Sequence, residues 1–367
     1  MSRRERSLFT GEHLLIAMVF VAAIFLGSIA RDAAGQSFEK ALIRVDDDCA
    51  EFAAAPDGKI VYAVPHRRHI KKIEFVHDDL WVVDPNGSKH KILDGDKFLP
   101  APPPANFVVN KLAWAPDSKK FTAEIRIESL SQDPDAPPTS IKAVALFDEN
   151  GQQIPITGVK SGYIENAGSA TWLADGQTVV YLTGGGPYQI MRMRPDEGKA
   201  VTLFDGHYFD AVTWDAARNQ AFVISPDLSV THRQYLIRLG LLNETISEIA
   251  RVDDFQGSMA VSPSGQKVGF FADGDTIRVV DLAHPDKLIE AHAGLGHFQW
   301  GADERRVLLK RGPAERSGDL VWVGIYDDSF TPILHDLEFH DFQVEPNGKA
   351  IVVTQVGSRT LMVFPLG

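Results

Sequence analysis

The stretch APDGKIVYA, residues 55–63, reads as the start of a hairpin. Ala55-Pro56-Asp57-Gly58 supplies turn residues and Ile60-Val61-Tyr62-Ala63 supplies strand residues. It recurs: APDSKKFTA begins at 115, LADGQTVVY at 173, SPSGQKVGF at 262 and EPNGKAIVV at 345. With Pro56 as a marker, the equivalents are Pro116, Ala174, Pro263, Ala302 and Pro346, and a weaker copy, TWDAARNQAFVIS, places Ala216 in the gap. The spacings are 60, 58, 42, 47, 39 and 44 residues. Repetition at that period belongs to a propeller or a solenoid.

The strand before each marker decides between them. Four residues ahead stand Phe52, Leu112, Ala170, Val212, Met259, Phe298 and Phe342; two ahead stand Ala54, Trp114, Trp172, Trp214, Val261, Trp300 and Val344. Between them lie Ala53, Ala113, Thr171, Thr213, Ala260, Gln299 and Gln343, all small or polar. This period of two is a strand with one bulky face and one small face. Five past each marker, Val61, Phe121, Val179, Ala221, Val268, Val307 and Ile351 open a second strand. Most repeats then show another hairpin, as in LWVVDPNGSKHKIL (80–93). No repeat has helical periodicity. The pattern predicts an all-β fold, a seven-bladed β-propeller of four-stranded antiparallel blades. The last repeat is one strand short, and FEKALIRV (38–45) lies unpaired ahead of the first. This N-terminal strand is expected to close the ring, leaving no open sheet edge.

The W-x-PDG-(K/Q)-x-V-x-Y core with a following LWVVDPNG hairpin resembles the WD40-like (PD40) repeats of the TolB family. Residues 49–93, 110–157 and 169–204 match best, and the likeness extends over nearly all of 38–367. It is specific for fold and weak for function. The resemblance implies a partner-binding or otherwise non-catalytic propeller of the periplasm. The six blades and extra N-terminal domain of the founding member have no counterpart in this pattern.

Ahead of the repeats, Arg3, Arg4 and Arg6 precede the apolar run LLIAMVFVAAIFL (14–26), followed by GSIA. This is the pattern of a secretory signal, with an uncleaved membrane anchor through residues 14–30 as the rival. The expected domains are therefore 1–30 signal or anchor, 31–37 linker and 38–367 propeller. The expected location is periplasmic or secreted, or inner-membrane anchored and facing the periplasm. A net charge of −12 argues against nucleic acid as a partner. The single cysteine, Cys49, excludes an internal disulfide and is expected to be buried and inert.

No catalytic motif stands out: there is no GxSxG elbow, P-loop, HExxH or GxGxxG. Asp94-Gly95-Asp96 and Asp273-Gly274-Asp275 read as turns. Asp46-Asp47-Asp48 with Glu51 is a denser acidic cluster, either solvated or metal-binding. PHRRHIKK (65–72) reads as a basic loop, and LPAPPPANF (99–107) and SQDPDAPPTS (131–140) as stiff ones. Histidines recur between an outer strand and the next inner strand. These connections and the connections between second and third strands fall on one face, and loops on a rigid scaffold collect binding residues. The candidate binding residues are His207, Asp210, His292, His297, His335, His340 and Asp341, with metal binding left open. The expected function is a non-enzymatic, monomeric propeller, without cofactor, that binds an envelope protein, peptide or glycan. The alternative is a propeller lyase or metal-dependent hydrolase with histidine and acidic residues at the central channel.

Overall fold

The computed structural model describes residues 43–45, 47–70, 72–98, 105–129, 139–183, 188–205, 209–226, 233–293, 297–311, 318–337, 339–355 and 359–366. All belong to the compact unit Ile43–Gly367. The expected leader, anchor and linker lie outside the described residues, as do His207, most of both proline-rich stretches and residues 38–42 of the N-terminal strand. Among the described residues no helix is long and apolar enough to cross a membrane.

The chain is almost wholly β. The strands are β1 (Ile43–Val45), β2 (Glu51–Ala54), β3 (Ile60–Ile70), β4 (Ile73–Val83), β5 (Lys89–Leu93), β6 (Ala105–Trp114), β7 (Lys120–Ser129), β8 (Thr139–Asp148) and β9 (Tyr163–Glu165). Then come β10 (Ala167–Trp172), β11 (Val179–Thr183), β12 (Gln189–Arg194), β13 (Lys199–Asp205), β14 (Ala211–Asp215), β15 (Gln220–Pro226), β16 (Arg233–Gly240) and β17 (Ile246–Asp253). The rest are β18 (Phe255–Val261), β19 (Lys267–Ala272), β20 (Thr276–Asp281), β21 (Leu288–His292), β22 (Phe298–Trp300), β23 (Arg306–Arg311), β24 (Gly318–Gly324), β25 (Phe330–Leu337), β26 (Phe339–Val344), β27 (Ala350–Gln355) and β28 (Leu361–Pro365). A single helical turn, α1 (Gly95–Phe98), follows β5.

The expectation of seven separate blades is corrected. Five four-stranded sheets stand apart, and the first two repeats share one eight-stranded sheet. The reason lies in β3 and β4. PHRRHIKK is not a loop: its first six residues extend β3, pairing Pro65 with Asp78, His66 with His77 and onward to Ile70 with Ile73. β5 covers only residues 80–83 of β4. The uncovered part of β4 meets β6 instead, through a parallel bridge between His77 and Phe107. Asn106 Oδ1 accepts the Val76 N–H at 2.8 Å, and Asp78 Oδ2 accepts the Val109 N–H at 2.7 Å, so side chains complete the seam. At the chain's other end β1 is the outer strand of the last sheet, with Ile43 opposite Val363 and Val45 opposite Leu361.

The core lies between sheets, as the bulky-face pattern requires. Leu80 and Val61 pack with Phe121 and Phe147; Val144 and Leu146 with Trp172 and Val179; Phe222 with Phe270; Phe271 and Ile277 with Trp300 and Val307. Tyr62 and Val83 pack with Val352 and Leu361, so the first and last repeats share a cluster. The repeated tryptophans add a polar link. Trp114 Nε1 donates to the Ala53 carbonyl at 3.0 Å, Trp214 Nε1 to Ser169 at 2.7 Å and Trp300 Nε1 to Ala260 at 3.0 Å, each reaching the first strand of the preceding repeat. Trp172 Nε1 is buried without such a partner. In the marker turn, Gly58 (φ +88°) takes a left-handed conformation that Ser118 (φ 59°) adopts in the second repeat despite its Cβ. Cys49 is buried, as expected, and burial pushes its thiol well above the ordinary range.

Candidate functional site

The small face of each first strand points to the next repeat. Gln299 shows this: its Nε2 donates to the Phe342 carbonyl at 2.9 Å, and its Oε1 accepts the Val344 N–H at 2.7 Å. Gln343 does the same one repeat later, toward Ala54. One step along the same face, five positions before the marker, stand Glu51, Lys111, Ser169, Ala211, Ser258, His297 and Asp341. Side chains two apart on a strand share a face, so these residues occupy one end of the first strands.

Several of them meet. Ser258 Oγ lies 3.5 Å from His297 Nδ1, and the His297 ring sits 5.5 Å from Phe342. The Asp341 charge acts on both His297 and Glu51, and Lys111 acts on both from the other side. Glu124, on β7 directly opposite Lys111, also bears on Glu51. A patch therefore runs across the fifth, sixth, seventh, first and second repeats. β-Bulges help to aim it. The ladder shifts between Val109 and Lys111 in β6 and between Phe339 and Asp341 in β26. A bulge bends its strand and redirects a side chain.

The electrostatics are strained toward acidity. Burial, then the Asp341 charge, pushes Glu51 up to about 8; Lys111 opposes them. His297 keeps solvent access but is otherwise walled by protein, and burial holds its imidazole below the ordinary value while Asp341 opposes. Glu124 Oε1 is buried without a hydrogen-bond partner. Its Oε2 lies 3.3 Å from where a Cβ would stand at Gly168, so the third repeat gives way to it. Three carboxyl groups thus gather around Lys111, and Lys310 acts on Asp341 as well.

Of the residues expected from sequence, the structure brings together His297 and Asp341. His292 does not join them: it ends the outer strand β21, where its N–H donates to Asp328 Oδ1 at 3.0 Å. Asp210 does not either, since its Oδ2 accepts from Gln234 Nε2 at 2.6 Å. His335 lies in β25, and His340 is the extra residue of the β26 bulge; only their main chains are described. The acidic cluster near residue 47 comes apart. Asp47 Oδ2 accepts from Tyr62 Oη at 2.7 Å, its Oδ1 lies 2.8 Å from Lys89 Nζ, and Glu51 turns to the patch. Glu51, Lys111 and Glu124 were missed. The period-two pattern, carried one step further back, picks out the first two; Glu124 depends on cross-strand register.

The sequence matches no family model, and no curated protein matches it. Solved structures do. A chain of the crystal structure of the mitotic checkpoint complex superposes with a TM-score of 0.58 at 11% identity, covering 89% of this chain and 91% of that one. The β-propeller domain of Cps50 (Swd1) from Myceliophteria thermophila gives 0.58 and 11%, covering 89% of this chain and all 100% of the other. TolB from Acinetobacter baumannii gives 0.41 and 10% over 72% of this chain and 80% of that chain. The first two likenesses show the fold alone: a β-propeller.

Proposed function

We propose that this protein is an exported, non-enzymatic propeller that binds a basic segment of an envelope protein or peptide at the mouth of a channel bounded by the first strands. The gathering of three carboxyl groups, one with an unsatisfied oxygen, carries this reading. Glu51, Glu124 and Asp341 gather around Lys111, with Lys310 acting on Asp341 from the sixth repeat, and Glu124 Oε1 is buried without a hydrogen bond. A guanidinium or ammonium group arriving from outside pairs with the patch carboxylates and draws Glu51 into its charged form. His297 flanks the opening as a hydrogen-bonding group. Export rests on the arginine-led apolar segment, and a reporter active only outside the cytoplasm, fused to residues 1–40, tests it. The binding reading is tested by affinity capture from envelope extract, comparing the native chain with a Glu124→Gln, Asp341→Asn double variant. Capture of a specific partner that the double variant loses, while remaining folded, is expected. Equal capture by both refutes this surface as the binding site.

One observation favours a second reading, a propeller lyase or hydrolase. A carboxylic acid held protonated at neutral pH beside a carboxylate and an imidazole is the arrangement a general acid needs. Turnover abolished by Glu51→Gln with partner capture unchanged would favour it over the binding reading.

A further inference from the structure

The seam between the first two repeats holds three buried polar side chains in a row on β4: His77, Asp78 and Asp79, exposed by 1%, 1% and 2%. Two are accounted for. Asp78 Oδ2 holds the Val109 N–H, and Asp79 accepts the Gly95 N–H at 2.9 Å through Oδ1 while its Oδ2 meets Lys91 and His66 Nε2. His77 is not. Its Nδ1 is buried without a hydrogen bond, although Asp96 Oδ1 stands 3.1 Å away. The two atoms are close but not aligned as donor and acceptor. A buried ring nitrogen left in that state is costly to the fold.

One oxygen each from Asp94 and Asp96 lies with His77 Nδ1 inside a group whose atoms are all within 4.8 Å of one another. Ligands about 2.1 Å from one divalent ion, at near-octahedral to tetrahedral angles, stand roughly 3.0–3.4 Å apart. The His77–Asp96 separation has that value. We propose that His77, Asp94 and Asp96 bind a first-row divalent cation of the zinc class, with one imidazole nitrogen and two carboxylate oxygens as ligands. A nitrogen ligand disfavours calcium and magnesium, which take oxygen.

The surroundings suit a built site. Arg68 pairs with Asp96 Oδ2, and Lys97 Nζ lies 3.4 Å from Asp94 Oδ2, so outer cations orient both carboxylates. The His66 ring stacks on His77 with centroids 5.5 Å apart. Gly95 lets the Asp94–Asp96 turn press onto β4, because a Cβ there would stand 2.3 Å from the Asp78 carbonyl oxygen. Asp94 also lines a surface hollow of about 450 Å³ with Lys91, Lys97 and Phe98.

The test uses the full, tag-free chain, stripped with chelator and titrated with Zn²⁺ alone by calorimetry, then with Co²⁺ followed by visible absorption. One equivalent is expected to bind and to raise the melting temperature, with cobalt bands marking nitrogen ligation. A folded Asp94→Asn, Asp96→Asn double variant is expected to bind at least tenfold more weakly. His77→Gln should lose the cobalt signature; should it fail to fold, the carboxylate variant decides. No uptake of Zn²⁺ or Co²⁺ by the parent chain, or unchanged affinity in the folded double variant, overturns the proposal.

Discussion

Gln343 Oε1 accepts the main-chain N–H of Ala54 at 2.9 Å, joining residues 289 positions apart in the chain. Ala54 is 3% exposed, so water cannot replace that acceptor. Gln343→Leu is expected to destabilise the fold by about 1–3 kcal/mol, the cost of a buried unpaired amide. Gln299→Leu should cost more, since Gln299 satisfies two main-chain groups of the last repeat. Urea denaturation with an unchanged m value measures both; equal midpoints for parent and Gln343→Leu would show the bond to be dispensable.

The tryptophans divide by the fate of the indole N–H. Trp114→Phe strands the Ala53 carbonyl, whereas Trp172 has no such bond to lose, and its ring carries Lys120 Nζ at 4.7 Å. Trp114→Phe should therefore be the more harmful, by about 1 kcal/mol. Matched denaturation curves for the two variants check the order, and a costlier Trp172→Phe would contradict it.

Glu51 gives stability a pH dependence of unusual sign. Its folded value, about 8, lies above the ordinary 4.5, so the folded chain keeps a proton that the unfolded chain releases. The stabilisation linked to that proton is full below about 4.5 and is lost as pH rises through about 8. Glu51→Gln cannot ionise. It is expected to flatten the fall in melting temperature between about pH 5 and 9, and to be the more stable protein at the alkaline end. Parallel curves for parent and variant would remove Glu51 as the cause.

A chain beginning at residue 47 lacks β1 and uncovers the edge of β28. Loss of at least about 2 kcal/mol, or aggregation seen by light scattering, is expected, because an unpaired edge invites pairing with another molecule. A truncated chain that stays monomeric and melts with the parent would show that β1 contributes nothing.

The repeat pattern made the strands legible because the requirement is local: a tight turn, a bulky face and a small face recur wherever one sheet packs on the next. The fused first two sheets were hidden, since nothing in PHRRHIKK marks a strand; its pairing with Ile73–Asp78 depends on the partner. For the same reason Asp94-Gly95-Asp96 looked like any turn until β4 brought His77 beside it. The site was half legible. His297 and Asp341, singled out by their place before a first strand, lie together in the patch, while His292 ends an outer strand apart from it. Glu51 was read with its neighbours Asp46–Asp48 when its partners lie across the fold.

Because β1 pairs with β28, the first made of the described strands is the last to be matched. Ile43–Val45 must wait until Leu361–Pro365 has been synthesised before its sheet can be completed. Throughout that interval the nascent chain carries an unmatched strand, and the first repeat has a face awaiting the last. Such distant pairing slows folding and lengthens exposure to other chains.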